Sequence, residues 1–288
     1  MQYDDFIELL KNIPYSPHAT YRGKPVYPNT DDHRLNYDIF CRAIEYLVTN
    51  NDFSIDKYFE ALTHAHLYII EQIALADSTI ETAKKAENKS FVDPNSKEIY
   101  DWKVDETKHF TVRPSLGSIV PGYLLVITQK YLLSMSELNT NERAQYIKLL
   151  EKFREIFCEI YGRKPIVFEH GSNGKAAAAN SINHAHSHIV NHQYLKETEI
   201  LSSMNFVRVQ DINEALIMAI GKNYIFYMNA SDEVYITTDF KPESQIMRKH
   251  IANDVGLSQY WNWREHPFHE NSWETLKQLQ LHRLRKIR

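Results

Sequence analysis

His184, His186 and His188 stand two residues apart, and the β-branched pair Ile189–Val190 follows at once. In a β-strand, residues i, i+2 and i+4 point to one face, whereas a helix would scatter them. The spacing therefore predicts a strand carrying a row of imidazoles, with neighbours roughly 6–7 Å apart at Cα. Upstream, within Phe168–Val190, lies a polar loop holding Gly171, Gly174, Lys175, Asn180 and Ser181. Imidazoles beside a glycine- and hydroxyl-bearing loop point to a site for a phosphorylated ligand.

The flanking sequence supplies elements for that strand to pair with. Phe110–Arg113 and Tyr123–Thr128 read as strands joined by the turn PSLGSIVPG, and the unbroken apolar run of the second predicts a buried central strand. A helix is expected over Thr140–Tyr161, opened by an Asn139/Glu142 capping box and ended by Gly162. Pro165–Glu169 forms the next strand. Beyond the histidines come a helix near Glu197–Ser203, strands Tyr224–Met228 and Val234–Thr238 linked by a hairpin turn, and helices at Glu243–Asn253 and Trp273–Lys286. The first 90 residues read as a helix (Asp5–Ile13), a proline-rich arm (14–32) and helical stretches from Asn36 and from Ser54 to Glu87. His64 and His66 also stand two apart, but in a helical setting, where such side chains do not face each other, so they read as structural. The order predicts an α+β protein with a mostly antiparallel sheet and an N-terminal helical extension. The expected segments are 1–90, 91–200 around the histidines, and 201–288, a hairpin and helices packed on that core.

Composition excludes several classes. The net charge of −4 argues against nucleic acid as a general partner. Two cysteines, Cys41 and Cys158, are too few for a disulfide framework or a thiolate zinc site. No apolar run approaches the length of a membrane span, and the acidic N-terminus lacks a signal core, so a cytoplasmic protein without membrane partners is expected.

The histidine row admits three roles. Neutral imidazole is a good nucleophile, and with an ordinary pKa near 6.5 most of it is neutral at pH 7. Attack on phosphorus would give a phosphoramidate intermediate, with flanking histidines, Ser181 and backbone N–H groups holding the other oxygens. Zinc binding is the second role, although positions i, i+2 and i+4 span too far for all three to reach one ion comfortably. A stack of ordinary polar strand residues is the third.

NHAHSHIV resembles the His-x-His-x-His motif of the histidine-triad (HIT) superfamily. ANSINHAH is similar to that family's Gln-Ser-Val-x-His-x-His, and Ile119–Tyr131 (IVPGYLLVITQKY) resembles its P-G-H-x-L-V-I-P-K-x-H strand. The resemblance covers about Phe110–Val190. It implies a HIT-like core and a hydrolase or nucleotidyltransferase acting at the α-phosphate of a nucleotide-derived small molecule, with no metal and no other cofactor. His186 would be the nucleophile, supported by His184 and His188. Ser181 and Asn180 would contact phosphate and leaving group, with Lys175, Gly174, His170 and Glu169 as further phosphate- or nucleotide-binding candidates. Small family members commonly dimerise, so a homodimer sharing the sheet is one arrangement; the added segments could instead cover that surface within one chain. A nucleotide-binding or RNA-associated HIT-like module without turnover is the alternative function. In this chain Tyr123 stands where the family has His, and Thr128 and Tyr131 replace Pro and His. Arg248 and Lys249 could meet phosphate or form a solvated basic face, and Trp261 and Trp263 read as packing residues.

Overall fold

The computed structural model describes residues 2–77, 102–173, 184–192, 197–241 and 243–287. They fall into two compact units, one of residues 1–102 and 276–288, the other of 103–275.

The first unit is helical. Helix α1 (Tyr3–Asn12) buries Tyr3, Phe6, Ile7 and Leu10, the stripe of an amphipathic helix. A two-residue hairpin, β1 (Thr20–Tyr21) and β2 (Lys24–Pro25), lies within the proline-rich arm. Helix α2 (His33–Asn50) starts where the Asp32 carboxylate accepts from the Leu35 N–H, and ends at Asn51 in the left-handed region. Helix α3 (Ile55–Asp77) packs on it and carries His64 exposed and His66 half-buried.

The second unit is built on one antiparallel sheet of eight strands among the described residues, in the order β3-β4-β5-β7-β6-β9-β10-β8. The strands are β3 (Asp105–Glu106), β4 (Phe110–Pro114), β5 (Tyr123–Thr128), β6 (Ile166–Gly171), β7 (His186–Val190), β8 (Val207–Val209), β9 (Tyr224–Met228) and β10 (Val234–Thr237). The central strand β5 is buried throughout, as its apolar run predicts. Helix α4 (Thr140–Tyr161) has both halves of the Asn139/Glu142 capping box and the left-handed Gly162 at its end. It covers one face of the sheet with Tyr146, Leu149, Leu150, Phe153 and Phe157 buried. On the same face lie the 3₁₀ turn Met135–Glu137, beside β6, and helix α6 (Ile212–Met218), beside β9 and β10. Helices α5 (Glu197–Ser203) and α7 (Ile246–Asp254) follow the core strands. The last helix, α8 (His269–Ile287), starts in this unit and ends in the first. No helix among the described residues is long and apolar enough to cross a membrane.

Strand β6 is paired along both edges within one chain. Its edge away from β7 is taken by β9, in the register Val167↔Met228 to Gly171↔Tyr224. The β9–β10 turn is held by the Asn229 carboxamide, which accepts from the Ser231 and Glu233 N–H groups. It is also held by Arg154 of α4, whose guanidinium donates to the Asn229 carbonyl and the Asp232 carboxylate.

Candidate active site

Strand alternation sorts the histidine segment. In β7, His186 and His188 point to one face, while Ser187 and Ile189 point to the face covered by α4. Ser187 is fully buried there, and its hydroxyl is satisfied at 2.6 Å by that of Tyr146. The registers Leu125↔His188 and Phe168↔His188 place Tyr123, Leu125 and Ile127 of β5, and Phe168 and His170 of β6, on the same face as the two histidines.

The expected row of three is not formed by the strand alone. β7 begins at His186, and His184 lies in the bend before it. The Ala185 N–H bonds to the Leu132 carbonyl, and the Ala185 carbonyl accepts from Thr128, so the chain turns towards the end of β5. The His184 ring follows: Nε2 is 2.7 Å from the Thr128 carbonyl oxygen and 3.1 Å from its hydroxyl. His184 instead contributes its backbone, because its carbonyl oxygen lies 2.6 Å from His186 Nδ1.

That contact defines the tautomer of His186. A carbonyl only accepts, so Nδ1 carries the proton and Nε2 of the neutral ring carries the lone pair. The His186 and His188 ring centroids are 5.0 Å apart, and Phe168 stacks on His188 at 4.4 Å and 9°. His188 Nδ1 is 2.9 Å from the Tyr123 hydroxyl. His170 packs edge-on against Phe240. His170, His186 and His188 each keep part of their surface in solvent. All three are less basic than an ordinary imidazole. Burial is the largest cause for each, and the mutual repulsion of their charged forms adds to it for His170 and His188. For His186 the hydrogen bond to the His184 carbonyl works in the opposite direction. His170 is pushed down to about 4. The cluster is therefore neutral at pH 7, with a nucleophilic nitrogen available on His186.

Other expected site residues are placed differently. Glu169 alternates away from its neighbour His170, onto the α4 face. It is 1% exposed there, accepting from the Met135 N–H at 2.7 Å and the Tyr224 hydroxyl at 2.5 Å, so it does not line the histidine pocket. Gly174, Lys175, Asn180 and Ser181 lie outside the described residues. Arg248 is not part of a solvated basic face. It is 4% exposed, donating to the Gly117 and Trp261 carbonyls, with its guanidinium carbon 5.6 Å from the Tyr123 ring centre. Lys249 lies over the Trp261 ring at 4.3 Å and pairs with Glu243. Phe168, Phe240 and Arg248 as neighbours of the histidines follow from long-range pairing, which spacing within a segment does not reveal. Phe168 alone had a local signal, its two-residue offset from His170. Among the described residues, no group of three or more His, Cys, Asp or Glu side chains is arranged to hold a metal ion.

Among curated proteins, none matches the sequence. Among solved structures, the chain is similar to a HIT-like protein involved in cell-cycle regulation from Bartonella henselae, at 21% identity over 31% of this chain and 63% of that one, with a TM-score of 0.27. It is similar to a hypothetical histidine triad nucleotide-binding protein from Sulfolobus tokodaii, at 20% identity over 31% and 58%, TM-score 0.26. It is similar also to a HIT family hydrolase from Clostridium thermocellum, at 15% identity over 33% and 81%, TM-score 0.26. The chain thus spans less than two thirds of the length of the first two. Residues 96–194, the segment that holds His184, His186 and His188, match the family model of the HIT domain.

Proposed function

We propose that the protein cleaves a phosphoric-anhydride or phosphoramidate bond at the α-phosphate of a nucleotide derivative, as a hydrolase or nucleotidyltransferase, through a nucleotidyl-histidine at His186. The hydrogen bond from His186 Nδ1 to the His184 carbonyl carries this reading. It aims one lone pair, on Nε2, away from the backbone and removes the competing tautomer. Burial adds to it by keeping the ring unprotonated at neutral pH.

In the first step Nε2 attacks phosphorus, a P–N bond forms, and the bond to the leaving oxygen or nitrogen breaks with its electron pair. The leaving group takes a proton from solvent or a neighbouring donor. In the second step water, or another acceptor, attacks phosphorus, and the P–N bond breaks to restore the neutral imidazole. The hydrolytic products are a nucleoside monophosphate and the protonated leaving group.

The test is His186→Ala, assayed for nucleotide release from dinucleoside polyphosphates, nucleotide sugars and nucleoside phosphoramidates. Loss of the nucleophile should lower kcat by a factor on the order of 10³ or more. Denaturing quench of the unaltered protein with α-phosphate-labelled substrate should retain label on His186. Turnover unchanged in the variant would refute the reading. Tight nucleotide binding by calorimetry with no product would favour a binding module.

A further inference from the structure

We propose that Glu169 is a positioning residue for His186: it holds the turn at 132–137, and that turn fixes the peptide group whose oxygen sets the His186 tautomer. Only the use made of His186 Nε2, attack on phosphorus, rests on the phosphoryl-transfer reading above; the chain of contacts does not.

The link to His186 is one peptide plane. The His184 carbonyl oxygen lies 2.6 Å from His186 Nδ1. The same peptide group carries the Ala185 N–H, and in a trans peptide the two bonds point in opposite directions within one plane. The Ala185 N–H donates to the Leu132 carbonyl at 2.7 Å. Holding that N–H on Leu132 therefore aims the His184 oxygen the other way, at the His186 ring. The next peptide is held as well, because the Ala185 carbonyl accepts from the Thr128 N–H at 3.2 Å, at the end of β5.

The Leu132 carbonyl is in turn placed by the residues that follow it. Four consecutive N–H groups there donate to side-chain oxygens. Leu133 and Ser134 share Glu137 Oε1, at 2.7 and 3.1 Å. The Met135 N–H donates to Glu169 Oε1 at 2.7 Å, and the Ser136 N–H to the Tyr224 hydroxyl oxygen at 3.2 Å. Tyr224 is itself bonded to Glu169 Oε2 at 2.5 Å. Glu137 belongs to the turn, so its bonds give the turn its shape. Glu169 belongs to β6, so its bonds, directly and through Tyr224, tie the turn to the sheet.

The place of Glu169 is built for this. Glu169 is 1% exposed, and Met135 and Tyr224 are fully buried, so a donor that loses its acceptor there is left unsatisfied. Gly171 supplies the room for the Tyr224 ring: a Cβ at that position would fall 2.1 Å from Tyr224 Cε1. Successive residues of β6 thus serve the site from both faces of the sheet. His170 stands beside the other histidines, and Glu169 acts on His186 from the opposite face, through the backbone of the turn.

The experiment is ¹⁵N NMR of the full chain with labelled histidine at pH 7.5, on the unaltered protein, Glu169→Met, Glu169→Gln and Tyr224→Phe, alongside kcat and KM. In the unaltered protein His186 Nδ1 should show the shift of a protonated ring nitrogen and Nε2 that of an unprotonated one. Glu169→Met removes the acceptor and should move Nδ1 towards the unprotonated value. It should also lower kcat about tenfold, the weight of one hydrogen bond, with KM little changed. Glu169→Gln keeps a carbonyl for the Met135 N–H and should restore both readouts. Tyr224→Phe should act in the direction of Glu169→Met, but less. Val234→Ala, a buried change in β10 remote from the turn, should loosen the sheet and leave the His186 shifts in place. His186 shifts unmoved in Glu169→Met, or moved equally by Val234→Ala, would overturn the proposal. If Glu169→Met fails to fold, amide exchange of the unaltered protein decides: Met135 and Ala185 should open together, and Ala185 exchanging much faster than Met135 would overturn it. None of the NMR readouts requires turnover, so an inactive protein with the stated shifts would refute only the phosphoryl-transfer reading.

Discussion

Replacing Glu169 with Gln should remove a pH dependence of stability that the buried carboxylate imposes. Glu169 is 1% exposed beneath the 3₁₀ turn. Burial pushes its pKa up from the ordinary 4.5 to about 8, against the opposing hydrogen bonds from Tyr224 and the Met135 N–H. In the unfolded chain the group ionises near its ordinary value. Between the two values the unfolded state has released a proton that the folded state keeps. Raising the pH through that window therefore favours unfolding, at about 1.4 kcal/mol per pH unit. From about pH 5 to about pH 7.5 the loss is roughly 3 kcal/mol. Glutamine does not ionise and so carries no such slope. Its carbonyl still accepts from Met135, but the Tyr224 hydroxyl loses its acceptor, a pH-independent cost of about 1 kcal/mol. The variant should be the less stable protein near pH 5 and the more stable one near pH 7.5. Carboxylates whose pKa values are held low, such as Glu142 and Asp232, cancel in the difference between the two proteins. Urea unfolding of both proteins at each pH, with hydrogen exchange at β6 and β9 amides, measures that difference. Parallel pH profiles would refute the reasoning, because they would mean that Glu169 is ionised in the folded state and that its two donors offset the burial.

Gly171→Ala should destabilise by about 1–3 kcal/mol, because the new Cβ would overlap the Tyr224 ring. Gly162→Ala, at φ +74° but facing open space, should cost about 1 kcal/mol; equal losses on denaturant unfolding would argue against the clash. Tyr146→Phe and Ser187→Ala should each cost about 1–3 kcal/mol, since each leaves the other hydroxyl buried without its 2.6 Å partner. The double variant should cost little more than either alone, and strict additivity would show that the two do not interact.

Much of the fold is legible where signals are local. β5, α4, α5 and β9 fall where the residues place them, because an apolar run, a capping box or a terminal glycine marks their ends. β8 and α6 go unseen. β8 is three residues long and mostly exposed. α6 has only seven residues, although Asp211 caps it by accepting from Glu214. In the site, His186 and His188 are legible from their spacing. His184 departs from the row because the pairing of β7 with β5 stops at Ile127↔His186 and the chain bends at Ala185. Glu169 and His170 are adjacent, so a strand cannot point both at one pocket; period two decides that one turns away, and only the register tells which. Arg248 is illegible because its acceptors, the Gly117 and Trp261 carbonyls, are set by the tertiary fold.

The pairing of β9 with β6 also bears on how this site can change over generations. In a two-fold sheet junction the same strand meets its own copy, so each mutation appears twice and must suit itself. Here the two partners are unlike sequences encoded in one chain. Residues of β9 such as Ile225 and Tyr227 are free to vary without a matching alteration appearing in β6. At this edge, a damaged allele has no sister subunit to poison.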